Sequence, residues 1–175
     1  QKWSWDRILR SPYIKQADTL QGFYFFEDHF TKEELEKHFD FYEPFTVHES
    51  SLSPCVHSIQ AAVLGRMEQA YTFYLRTSRL DLDDYNKEVE EGLHITSMAG
   101  TWMSIVEGFG GMRVRNNQLH FEPKIPAQWK GYSFKVNFRN AIVKVAVKQE
   151  GTNISIEGDS DVNIFVNGES QLVKN

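Results

Sequence analysis

Three short segments gather the polar side chains that could recognise a hydroxyl-rich or anionic ligand. Ser11-Pro12-Tyr13-Ile14-Lys15-Gln16-Ala17-Asp18 sets a cation, an amide and a carboxylate within one turn at the start of a helix. Adjacent sugar hydroxyls both donate and accept hydrogen bonds, so paired polar groups such as Lys15 and Gln16 in a largely apolar site can discriminate them. A solvated helix start has the same composition. In Gly92-Leu93-His94-Ile95-Thr96-Ser97-Met98-Ala99-Gly100-Thr101 a glycine turn delivers His94, the hydroxyls of Thr96 and Ser97 and several amides to a helix amino end. The first amides of a helix lack partners and the dipole is positive there, so a phosphate would sit well. Alternatively Thr96 or Ser97 simply caps the helix and His94 is incidental. Val47-His48-Glu49-Ser50-Ser51-Leu52-Ser53-Pro54 feeds polar groups into another helix start. Ser53 reads as its cap, whereas His48 and Glu49 could equally be a buried structural pair or wall groups of a pocket.

Other candidates fail on spacing. His38, His57 and Cys55 lack companions at zinc-ligand intervals, which argues against a metal site. Asp81, Asp83 and Asp84 resemble calcium ligands, but the stretch lacks the glycine and terminal Glu of the helix-loop-helix pattern and reads as a solvated loop.

The elements that position these segments change texture along the chain. Thr31-Lys32-Glu33-Glu34 is a capping box, which predicts a helix from about Lys32 to Phe41. Ser53-Pro54 opens a second helix, with Val56, Ile59, Val63, Leu64 and Met67 on one face. Met98, Trp102, Ile105, Val106 and Phe109 predict a third, ended by Gly110-Gly111. Further helices are expected from about Gln16 to Glu27 and from about Glu68 to Ser78. After Arg115 the period falls to two: Phe134, Val136 and Phe138, then Val143, Val145 and Val147, then Ile154 and Ile156 mark half-buried strands. Val162, Ile164 and Val166 lead into Asn167-Gly168, a pair favoured in two-residue hairpin turns. The expectation is an α+β chain, helical over residues 1–113 and an antiparallel sheet domain over 114–175.

Bulk properties exclude some classes. With 41% hydrophobic residues over 175 positions the chain can bury a core, and a net charge of -5 without a basic block argues against nucleic-acid binding. The one cysteine, Cys55, forbids an internal disulfide and fits a reducing compartment, with the cytoplasm as the expected location. The sequence has no long apolar run, so no membrane span is expected. A start at Gln1, followed by Trp3-Ser4-Trp5, reads as a fragment or processed piece of a longer chain.

In that order and at those intervals, the segments 11–18, 48–54 and 92–100 resemble the glycoside hydrolase family 65 disaccharide phosphorylases, which act on maltose, trehalose and kojibiose. The resemblance covers nearly the whole chain and weakens over roughly the last thirty residues. It implies that the helices are the last ones of an (α/α) barrel of six helical hairpins, followed by a small β domain. An isolated piece of such a barrel should expose apolar surface. It implies phosphorolysis with inversion, no cofactor, inorganic phosphate as a substrate, and an assembly that tends to be a homodimer. By position, Lys15 and Gln16 would hold the glucosyl ring, His94, Thr96 and Ser97 would cradle phosphate, and His48 and Glu49 would shape the mouth of the site. The catalytic acid would lie upstream in the missing amino-terminal part, so none of Glu43, Glu49 or Glu107 is assigned that role and this piece alone should be inactive. Two rival expectations are a related hydrolase such as a trehalase, and a carbohydrate-binding or structural β module. The anion loop argues against the first. The second would need aromatics along one exposed strand face, but apart from Tyr132 they alternate as core residues.

Overall fold

The computed structural model describes residues 3–48, 50–158 and 161–174. The chain forms two compact units, residues 1–104 and 105–175. The first is helical and the second is built of strands, so the class is α+β.

In the helical unit the described α-helices are α1 (Trp5–Leu9), α2 (Asp18–Phe25), α3 (Lys32–Tyr42), α4 (Ser53–Val63), α5 (Met67–Ser78) and α6 (Ile95–Met103). The capping box opens α3 as its residues dictate: the Glu34 amide donates to Thr31 Oγ1, and the Thr31 amide donates to the Glu34 carboxylate. The centre of the unit is α4, which packs against α2, α5 and α6. An amphipathic helix was expected here, yet every residue from Ser53 to Ala62 is buried. Its polar side chains are accommodated individually: Ser58 Oγ donates to the Ala70 carbonyl and Gln60 Nε2 to the Leu20 carbonyl. Ser53 is not the cap. It lies inside the helix, and its Oγ accepts from the Ala17 amide at 3.0 Å, a tie across 36 positions that no local spacing announces. The helix ends on Gly65, whose φ of +82° allows paired bonds from the Gly65 amide to the Ala62 carbonyl and from the Arg66 amide to the Ala61 carbonyl.

The third predicted helix is not regular to its end. After α6 the chain widens into a π-helical stretch over Ser104–Phe109, with the Gly110 amide donating to the Ile105 carbonyl at 2.7 Å. A Cβ at Gly110 would stand 2.5 Å from the Val106 carbonyl oxygen and 2.9 Å from the Phe134 ring, so the exit requires glycine.

The strands are β1 (Arg113–Arg115), β2 (Gln118–Phe121), β3 (Gly131–Phe138), β4 (Ala141–Lys148), β5 (Gly151–Gly158), β6 (Val162–Val166) and β7 (Glu169–Val173). They make two sheets, ordered β1-β2-β6-β7 and β3-β4-β5. Phe134, Val143, Val145, Val147 and Ile156 from one sheet share a core with Leu119, Phe121, Val162 and Ile164 from the other. The alternation fixes this, because each buried residue is flanked by exposed or half-buried ones along its strand. Asn167 and Gly168 both take positive φ in the β6–β7 turn, as a two-residue hairpin of the expected kind requires. The domain is not wholly antiparallel: β2 pairs parallel with β6, which joins segments far apart in sequence. No described helix is long and apolar enough to cross a membrane.

Candidate functional site

The first two polar segments are knitted together residue by residue. Ile14 forms an isolated parallel bridge with Thr46: its amide donates to the Phe45 carbonyl, and the Val47 amide donates to its carbonyl. Ser50 Oγ donates to Gln16 Oε1 at 3.1 Å, and the Ala17 amide reaches Ser53. These ties hold Gln16 in place, and its Nε2 donates to Asp18 Oδ1 at 2.9 Å. Lys15 is exposed beside it, with Nζ over the Trp5 ring at 5.5 Å from the centroid. The pair thus stands at the start of α2 with one cationic and one amide head, each able to meet a sugar hydroxyl.

His48 has a left-handed backbone (φ 59°), its carbonyl accepts from the Arg76 guanidinium, and its Nε2 lies 3.0 Å from Glu43 Oε1. Its ring stacks on Phe73 and lies 5.0 Å from the His57 ring. A half-buried pair therefore exists, but its acid is Glu43. Glu49 lies outside the described residues.

The third segment starts from Gly92, whose φ of +109° turns the chain into α6. His94 occupies the N-cap position without capping by its side chain. Instead the ring is gripped by Asp81: the His94 amide donates to Asp81 Oδ2 at 3.0 Å, and His94 Nδ1 lies 2.6 Å from Oδ1. His94 Nε2 faces Glu88 Oε2 at 3.4 Å. The hydrogen bond to Asp81, aided by both negative charges, raises the imidazole pKa above its ordinary value, while the same bond lowers that of Asp81. Asp81 is therefore no solvated loop residue, since its side chain is only 15% exposed. Thr96 is exposed on the first turn of α6, whereas Ser97 turns inward, its Oγ donating to the Thr77 carbonyl at 2.9 Å and lying 3.0 Å from Thr77 Oγ1. The turn is thus anchored on α5 through Ser97 and presents His94 and Thr96 outward. An imidazole whose pKa is raised, a hydroxyl and a helix amino end together suit an anion.

Tight packing joins the helix that follows the second motif to the end of the third. A Cβ on Gly100 would stand 2.7 Å from Cys55 Cβ and 2.9 Å from its Sγ, so α6 can lie this near α4 only with glycine there. Sequence reasoning missed Asp81, Thr77, Arg76 and the Cys55–Gly100 approach, because each acts through a distant partner. No group of three or more His, Cys, Asp or Glu among the described residues could hold a metal ion.

Comparison with known proteins places these segments in context. The maltose phosphorylase of Bacillus subtilis (strain 168) is 58% identical over 150 residues, covering 86% of this chain and 20% of that protein. The α,α-trehalose phosphorylase of Thermoanaerobacter brockii is 42% identical over 163 residues, 93% of this chain and 21% of its own. A solved structure described as a kojibiose phosphorylase from human microbiome superposes with a TM-score of 0.92 at 40% identity, covering 98% of this chain and 24% of that one. The chain thus spans about a fifth of the length of the curated relatives it matches. Residues 1–103 match the glycosyl hydrolase family 65 central catalytic domain and residues 112–173 the family 65 C-terminal domain, so with its motifs, helices and paired sheets the chain belongs to glycosyl hydrolase family 65.

Proposed function

We propose that the chain is the C-terminal portion of an inverting disaccharide phosphorylase that converts maltose and inorganic phosphate into β-glucose 1-phosphate and glucose. The observation that carries this reading is His94, gripped by Asp81 at the amino end of α6 and set beside Thr96 on a turn anchored by Ser97. A hydrolase needs no anion site there, whereas a phosphorylase must hold phosphate against the sugar. Lys15 and Gln16 take the hydroxyls of the glucosyl ring, and His48 with Glu49 shapes the mouth of the site.

In this reaction a phosphate oxygen bonds to the anomeric carbon, the glycosidic C–O bond breaks, and a carboxylic acid upstream of this chain gives its proton to the leaving oxygen. Phosphate is already an anion, so no second carboxylate is needed to activate water, unlike inverting hydrolysis. The fraction of the relatives' length spanned here supports an inactive isolated piece. The exposed Leu9, Phe25, Phe26, Phe41 and Leu82 of the helical unit support its completion by preceding helices of an (α/α) barrel. The whole protein would work in the cytoplasm as a homodimer, without a cofactor. Maltose is favoured by the 58% identity to a maltose phosphorylase, and trehalose and kojibiose are the alternative substrates.

The test is proton NMR of the whole protein turning over each of the three disaccharides. The expected outcome is β-glucose 1-phosphate, formed fastest from maltose and only with phosphate present. Free glucose as the sole product, at a rate indifferent to phosphate, would make the protein a hydrolase.

A further inference from the structure

The His94 ring lies between two carboxylates that hold it very differently. Asp81, in the turn after α5, meets it through both oxygens, one on the backbone amide and one on Nδ1, and is 15% exposed. That double contact fixes which ring nitrogen is spoken for and how the ring is turned. Nε2 is left for a ligand, and what faces it is Glu88 Oε2 at 3.4 Å, beyond a normal hydrogen bond, on a side chain 41% exposed. The neighbouring acids are engaged elsewhere: Asp83 binds Arg79, and Asp84 Oδ1 accepts from the Val89 amide. Asp81 and Glu88 are thus the charged groups that act on the His94 ring among the described residues.

We propose, resting on the phosphorylase reading, that Asp81 is the positioning residue of the phosphate site, turning the His94 ring so that its Nε2–H takes a phosphate oxygen in place of the Glu88 carboxylate. The exchange is chemically even. One anionic oxygen replaces another on the same N–H, and the acid that leaves is 41% exposed, with Asn86 Nδ2 at 3.3 Å from its Oε2 as its other partner. Asp81 stays in both states. Without it the imidazole would lose both the contact that orients the ring and the hydrogen bond that raises its pKa. Glu88, by the same logic, is an internal competitor that sets the phosphate concentration at which the site fills.

The experiment is steady-state kinetics of the whole protein at pH 6 and pH 8, varying phosphate at saturating disaccharide. Each variant is expressed as a ratio to wild type at the same pH, so that the titration of phosphate itself cancels. Asp81→Asn should raise the phosphate KM by roughly tenfold or more at pH 8 and clearly less at pH 6, because the unsupported imidazole is mostly neutral at the higher pH. Its kcat at saturating phosphate should stay within about twofold, since a uniform loss of binding shows in KM. Asp81→Glu should recover part of the effect. Glu88→Gln, which keeps the size of the side chain and removes its charge, should lower the phosphate KM severalfold and keeps the test open if Asp81→Asn fails to fold. A ratio for Asp81→Asn that does not change with pH, or a Glu88→Gln variant with raised KM, overturns the proposal. Phosphate-independent turnover, or a His94→Ala variant with unaltered phosphate KM, would instead sink the phosphorylase reading beneath it.

Discussion

His57 carries an imidazole into the middle of α4, fully buried among Phe39, Phe73 and His48, with neither ring nitrogen bonded to a partner among the described residues. Burial, with the His48 ring and the Arg76 charge adding to it, lowers its pKa to about 3. The folded protein therefore keeps His57 neutral while the unfolded chain takes up a proton below about pH 6.5, so stability falls as pH drops below that value. Between pH 7 and pH 5 the loss from this one group is about 2 kcal/mol. Chemical denaturation of wild type and His57→Leu at both pH values should show the variant losing that much less, and parallel pH dependence would contradict the buried neutral state. Ser53 makes a second residue-scale prediction. Ser53→Ala leaves the buried Ala17 amide unsatisfied and should cost about 1–3 kcal/mol in the same assay, whereas a lost cap on an exposed helix end would cost less. Neither role was visible locally. Ser53 beside Pro54 has the spacing of an N-cap, and only the fold brings Ala17 to it. Asp81 likewise sat in an acidic run, where nothing distinguishes the one carboxylate that reaches His94.

At the scale of elements, the helices and strands written by local chemistry are the ones the sequence announced. The reciprocal bonds of Thr31 and Glu34 need only four consecutive residues, and Thr31→Ala should cost about 1 kcal/mol of stability. The alternation of β3 and β4 and the Asn167-Gly168 turn are local in the same sense. What stayed illegible depends on neighbours. The short strands β1 and β2 are three and four residues long, too brief for a period to show, and the parallel β2–β6 pairing sets Leu119 opposite Ile164 and Phe121 opposite Val166, more than forty positions away. The π-helical stretch leads into Gly110, where a Cβ would meet a ring from β3. Gly100 separates local propensity from packing. Alanine should favour an isolated helix by about 1 kcal/mol, but a Cβ here meets Cys55 on α4 at 2.7 Å. Gly100→Ala should therefore destabilise the fold by roughly 1–3 kcal/mol, read as a lowered melting temperature. A raised one would show that α6 has room to move away from α4.

For the molecule as a whole, the order of the three polar segments carried more than any of them separately. Alone, each has a structural explanation, and the structure supplies some of it: Ser97 serves the α5–α6 contact, Ser53 tethers Ala17, and His48 pairs with Glu43. Together they mark one family, and the fold places Gln16 against Ser50 and turns His94 and Thr96 outward at the start of α6. The α+β class was legible because the change from a period of 3.6 to one of 2 occurs once along the chain. The chemistry was less legible, because the chain spans only about a fifth of the length of the relatives it matches. The measurement that bears most directly on phosphorolysis is glucose 1-phosphate release from maltose by the whole protein, with and without inorganic phosphate, in wild type and His94→Ala. Release that requires phosphate and falls by about tenfold or more in the variant at limiting phosphate is the predicted result. Maltose cleavage that proceeds equally without phosphate, and is untouched by the substitution, would contradict it.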